Sequence, residues 1–117
     1  MVKVNNEQGE INVTANVYTN IAGVAASNCF GVKGMAMRSV TDGLVHLLKK
    51  DAMSKGVLVT FHEDGSISID LHIIVDHGVN IVTLGNSIIS EVRYVVTKST
   101  GTEVRAVNVF VDSIVAG

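Results

Sequence analysis

Hydrophobic residues along this chain recur with two different periods, and the switch between them is clearest after residue 79. Ile81, Leu84, Ile88, Val92, Val95 and Val96 return every three to four positions, which predicts a long amphipathic helix. Asn80 stands where an N-cap is needed, and Thr100-Gly101 ends the pattern. The period then falls to two. Val107, Val109 and Val111 share one face of a strand, and Asn108, Phe110 and Asp112 share the other. Val104 and Ile114 break this parity, which predicts a bulge or irregularity at the strand ends.

Residues 56–78 alternate strongly and predict a β-hairpin. Val57, Val59 and Phe61 must share a face with Ile67, Ile69, Leu71 and Ile73. A two-residue Asp-Gly turn would put the two sets on opposite faces. A three-residue loop, Glu63-Asp64-Gly65, pairs Phe61 with Ile67 and Val59 with Ile69, with Gly65 in the left-handed position. The other face collects Leu58, Thr60, His62, Ser68, Asp70, His72 and Ile74.

The first half is less regular. Two short strands, 3–5 and 10–13, flank the polar turn Asn6-Glu7-Gln8-Gly9. A helix is predicted over 14–28, with Val17, Ile21, Val24 and Ala25, and Cys29 just beyond, roughly following a helical stripe. Ala22, Ala25 and Ala26 would allow close packing on a sheet, while Asn16, Asn20, Gly23 and Ser27 line the outer side. Phe30-Gly31 ends this helix, and a short strand follows over 32–37. A second helix is predicted over 42–54, capped by Thr41 or Asp42, with Leu44, Leu47 and Leu48 inward and Gly56 closing it. The order is β-β-α-β-α-β-β-α-β. It predicts an α+β two-layer sandwich, a mixed β-sheet with three helices mainly on one face, in a single domain over 1–117. Strand order is not readable from the pattern.

Composition narrows the function. Hydrophobic residues make up 47% and charged residues 17%, which excludes a disordered chain. The net charge of -2 offers no basic excess for phosphates, so no nucleic-acid partner is expected. A single cysteine excludes an internal disulfide and fits a reducing, cytoplasmic setting. The first ten residues have no apolar core of a signal peptide. Residues 11–32 are uncharged, but Asn12, Asn16, Asn20 and Asn28 are too costly for a bilayer span, so no direct membrane crossing is expected.

No catalytic constellation emerges. His46, His62, His72 and His77 lack metal-site spacing. Asp70-x-His72 puts a carboxylate and an imidazole on one strand face, and Asp76-His77-Gly78 is a turn; neither pair has convergent partners in the predicted register. Cys29 follows a helix C-terminus, where the dipole disfavours a thiolate. Gly31-Val-Lys-Gly34 is not a phosphate loop, and the five aromatics are too scattered to stack bases. No catalytic residue, metal or cofactor is therefore assigned. What remains is surface for association. The uncharged first helix presents Asn16, Asn20 and Ser27, and on the sheet Leu58, Ile74 and Phe110 interrupt a polar face.

Several short pieces, in order, carry a resemblance. They are Gly9-Glu-Ile11, Ile21-Ala-x-x-Ala25-Ala26, Gly31-Val32-x-Gly34-Met35, Gly56-Val57-x-Val59 and Ile69-Asp70-Leu71-x-Ile73-x-Val75. Gly78 and Thr100-Gly101-x-x-Val104-x-x-Val107-Asn108-Val109-x-Val111 complete the set. With these pieces the chain resembles the alkaline-shock-protein family of Gram-positive bacteria, small envelope-stress proteins, and most closely its short YloU-like members. The resemblance implies a non-enzymatic cytoplasmic protein of cell-envelope homeostasis. It would act as a self-associating homo-oligomer or as an adaptor held near the membrane by a membrane-anchored partner protein. The alternative is a regulatory subunit of a cytosolic enzyme of lipid or envelope metabolism. A small enzyme or metal protein using Asp70, His72 or His77 is the third reading.

Overall fold

Alternating strands need neighbours for their backbone groups, and the pairing follows from which strand is long enough to be shared. In a computed structural model, which describes residues 2–6, 9–36, 53, 54 and 56–116, the order is β1 (Val2–Asn6), β2 (Gly9–Val13), α1 (Ala15–Ser27), β3 (Val32–Met35), β4 (Met53–Ser54), β5 (Val57–Phe61), β6 (Ile67–Asp76), α2 (Ile81–Thr100) and β7 (Val104–Val115). The ten-residue β6 is the spine. β7 lies parallel along one of its edges. The other edge is shared end to end: β5 pairs antiparallel with residues 67–71, and β3 with residues 73–75. β4 adds outside β5, and β1 with β2 forms a separate antiparallel hairpin. Parallel pairing of β6 and β7 requires a crossover, and α2 supplies it.

The junction of β3 and β5 is tight. His72 of β6 accepts from Ala36 N and donates to Gly56 O, each at 2.8 Å, so one β6 residue clasps the end of one strand and the start of the next. Gly56 has φ +80°, and a Cβ on it would lie 2.6 Å from the Ala36 carbonyl oxygen and 2.8 Å from that of His72. Only glycine fits both that conformation and that space.

Val57, Val59, Ile67, Ile69, Leu71, Ile73 and Val75 form one face of the sheet and are fully or almost fully buried. Against them pack Tyr18, Ala22, Ala25 and Ala26 of α1 and Leu84, Ile88, Val92 and Val96 of α2. Both helices thus cover the same sheet face, and the α+β sandwich with a mixed sheet is as expected. The hairpin register is also as expected, Phe61 facing Ile67 and Val59 facing Ile69, with Gly65 at φ +91°. Asn80 Oδ1 accepts from Thr83 N at 3.0 Å as the cap of α2, and Gly101 ends that helix in the left-handed region. Parity along β7 breaks where predicted. Arg105 and Asp112 are each passed over in the register with β6, which makes two bulges.

Four expectations are corrected. The predicted helix over 42–54 lies outside the described residues except for Met53 and Ser54, and these form a strand. Among the described residues there are therefore two helices, and the order expected with three is not met. Gly56 consequently caps no described helix; it serves the strand junction. In α1 the Ala-rich side packs on the sheet as expected, with Ala15, Tyr18, Thr19, Ala22, Ala25 and Ala26 buried, but Val17 and Val24 of the expected stripe are not part of it, Val24 being 61% exposed. The small residues let α1 approach the sheet, and Tyr18 gains what a valine could not: an edge contact with Phe61 at 5.9 Å and a hydrogen bond to the Thr102 hydroxyl. Ile81, expected inward on α2, is 43% exposed.

The Tyr18–Thr102 bond links α1 to the turn between α2 and β7. Tyr18→Phe keeps the ring but leaves the buried Thr102 hydroxyl without this partner, so a loss of about 1–3 kcal/mol is expected. It should appear in urea as a lower midpoint at unchanged slope.

Candidate functional site

With both helices on one face, the opposite face of the sheet is left open among the described residues, and its side chains come in rungs. Leu58 faces Asp70, which faces Asn108; His72 faces Phe110; Gly34 faces Ile74, which faces Ser113. Leu58, Ile74 and Phe110 therefore share one surface, with Leu58 separated from Ile74 by the His72 rung. Polar groups between and beside them are bonded in pairs. Asn108 Nδ2 donates to Asp70 Oδ1 at 2.9 Å, and His62 Nε2 lies 2.7 Å from Ser68 Oγ. His72 Nδ1 lies 3.1 Å from Asp112 Oδ1, which the second bulge brings to it. The Phe110 ring stacks on the His72 ring at 4.8 Å and 15°. Asp70 and His72, paired on one face as expected, thus each engage a β7 residue. His77 is in the exposed turn before α2, beside a cleft of about 510 Å³.

At the hairpin tip, the Ser66 hydroxyl and amide both donate to Asp64 Oδ1, and Arg105 donates to Oδ2 at 3.0 Å. The Ser66 hydrogen bonds, side chain first, and then Arg105 hold the Asp64 carboxyl well below the usual carboxylate range. The first bulge of β7 is what places Arg105 there. Cys29 is half-buried, and its Sγ lies 3.6 Å from the Ala25 carbonyl. Burial, followed by the nearby Glu91 carboxylate, pushes its thiol pKa up, which is the opposite of an activated nucleophile. Among the described residues, no group of three or more His, Cys, Asp or Glu side chains is arranged to hold a metal ion.

On α1, Asn16, Asn20 and Ser27 are exposed, and Asn20 and Ser27 line a shallow cleft with Val24 and Met35. A second groove runs between α2 and β7. Ile81, Val82, Gly85, Asn86 and Ile89 form one wall and residues 107–111 the other, around about 390 Å³. The sequence pattern missed this groove, because it assigned Ile81 to the core and gave Val82 no role. It also missed Phe30, which is 97% exposed beyond the end of α1. Nothing local marks Phe30 as exposed, because the turn that follows decides where it points.

Residues 3–116 match the alkaline shock protein 23 family, described as having a cell envelope-related function. The chain belongs to this family. Similar relatives include the uncharacterized protein YloU of Bacillus subtilis, 33% identical over 114 residues, which cover 97% of this chain and 94% of YloU. The uncharacterized protein Spy1614 of Streptococcus pyogenes is also 33% identical over 114 residues, 97% of this chain and 93% of its own. The uncharacterized protein YqhY of B. subtilis is 31% identical over 106 residues, 91% of this chain and 77% of its own. No solved structure matches. The family match spans every strand of the sheet that bears the open face, β3 to β7. No described helix of this family member is long and apolar enough to cross a membrane.

Proposed function

We propose that this chain is a non-enzymatic module of cell-envelope homeostasis that works by protein–protein contact. In this reading it associates with copies of itself or serves as an adaptor, held beneath the membrane by a membrane-anchored partner. The observation that carries the reading is the open sheet face. Its histidines and carboxylates are engaged in pairs, His62 with Ser68, His72 with Asp112 and Asp70 with Asn108, instead of converging on a space where substrate could sit, as a reaction would need. Its apolar side chains, Leu58, Ile74 and Phe110, stand among those satisfied groups as anchors stand in an interface. Membership of a family of cell envelope-related function supports the setting.

The test is cross-linking in cells from a photoreactive residue at position 58 or 60, on the open face and away from β7. The expected product joins the chain to a membrane-anchored envelope protein. Cross-links to one cytosolic enzyme alone, or to nothing, would overturn the reading.

A further inference from the structure

We propose that two copies of this chain pair through the free edge of β7, strand antiparallel to strand, with the N-terminal halves of their α2 helices packed together over the joint. The proposal rests on the reading of the chain as a protein-contact module, and it names the partner of one surface.

The edge itself is the first observation. Among the described residues β7 pairs with β6 alone, so a strand of twelve residues leaves one row of backbone groups unpaired. Long edges are normally guarded by charge, proline or bulges. Here the bulges stand at Arg105 and Asp112, and the run between them, Ala106 to Val111, has no charge. Proline is absent from the whole chain.

The helix beside that edge is the second. The first ten residues of α2 carry no charge, and Val82 is 74% exposed next to the half-exposed Ile81. Gly85 sits among them in the second turn of the helix. A Cβ there would meet nothing within 4 Å, so among the described residues no contact demands glycine. Glycine at such a position lowers helix stability relative to alanine. Close approach of another helix would supply the reason that the described residues do not.

A second copy fits this surface better than an unrelated strand. Two-fold symmetry places a patch against itself, so any charge near the axis meets its own kind. Both walls of the groove are free of charge. In antiparallel pairing, directly opposed residues share a face, so a dyad at Val109 sets Val107 against Val111 and Asn108 against Phe110. The valines of both copies then continue the helix-covered face, and Asn108 and Phe110 continue the open one. Val109 is also the middle of the strand segment lining the groove.

The experiment is light scattering on the full chain over a wide concentration range, with hydrogen exchange at β7 as a second readout. The expected mass rises to twice the monomer, and β7 amides exchange more slowly in the dimer. Val82→Glu places two carboxylates near the axis and should weaken pairing at least about tenfold. Gly85→Ala should also weaken pairing, by about tenfold. Both should unfold cooperatively, and Gly85→Ala should be at least as stable as the parent when monomeric. A monomer at every concentration overturns the proposal, as does a dimer indifferent to both substitutions. A monomer that still cross-links a membrane protein from position 58 or 60 defeats the pairing and leaves the functional reading standing. Protection of β7 that appears only on adding another protein assigns the edge to a foreign strand, which also overturns it.

Discussion

Gly56→Ala is expected to destabilise the protein by about 3–4 kcal/mol, among the largest effects of any single-methyl addition. Two penalties combine. The left-handed backbone costs an L-residue roughly 1–2 kcal/mol. The new methyl would sit 2.6 Å from the Ala36 carbonyl oxygen and 2.8 Å from that of His72, and both are backbone atoms that cannot swing away. The ends of β3 and β5 would have to part, loosening the bonds by which His72 holds them. Gly65→Ala separates the two terms. Gly65 has φ +91° but open space around it, so it carries the conformational penalty alone. Denaturant midpoints of both variants decide the matter. Equal losses would mean that the strand ends are not in close contact.

Leu71→Ala is expected to cost about 2–5 kcal/mol, through lost transfer energy and a cavity at the centre of the core. Leu71 is fully buried and lies between Val57 on one neighbouring strand and Val109 on the other. Truncating Leu58 removes the same atoms from the open face, where the side chain is only half-buried, and the loss there should stay below about 1.5 kcal/mol. Thermal or urea unfolding of the pair tests the register directly. A one-residue slip exchanges the two faces, so a costlier Leu58→Ala would show that the sheet is turned the other way.

Much of this arrangement was legible from residues alone, for identifiable reasons. The hairpin could be read to the residue because only a three-residue loop keeps Phe61 and Ile67 on one face. The bulges in β7 were legible because Val104 and Ile114 fall out of step with Val107, Val109 and Val111. The open face was legible too, since alternation assigns Leu58, Ile74 and Phe110 to it. In α1 the Ala-rich packing side was legible, but the exclusion of Val17 and Val24 from it was not. Its residues carry no charge to mark a wet side, so Val17 and Val24 counted beside the alanines in the pattern. In the fold, closeness outranked size: small residues face the sheet, and Tyr18 reaches Thr102, 84 positions away. The groove beside β7 was hidden for a related reason. Ile81 continues the apolar stripe of α2, yet at that end of the helix it is 43% exposed, on the wall of a groove with the β7 edge.

By itself the sequence determined the family, the α+β class, the hairpin register, the two ends of α2 and the two faces of β7. These depend on side-chain period and turn chemistry, which act over a few residues. Only the tertiary structure decided that β3 and β5 share one edge of β6, that β7 runs parallel with its other edge unpaired among the described residues, and that Val17 and Val24 lie off the buried side of α1. It also decided that Asp112 meets His72 and that Gly56 is held between two carbonyls. Each of these depends on which distant segments come into contact, and that is settled by the packing of the whole core.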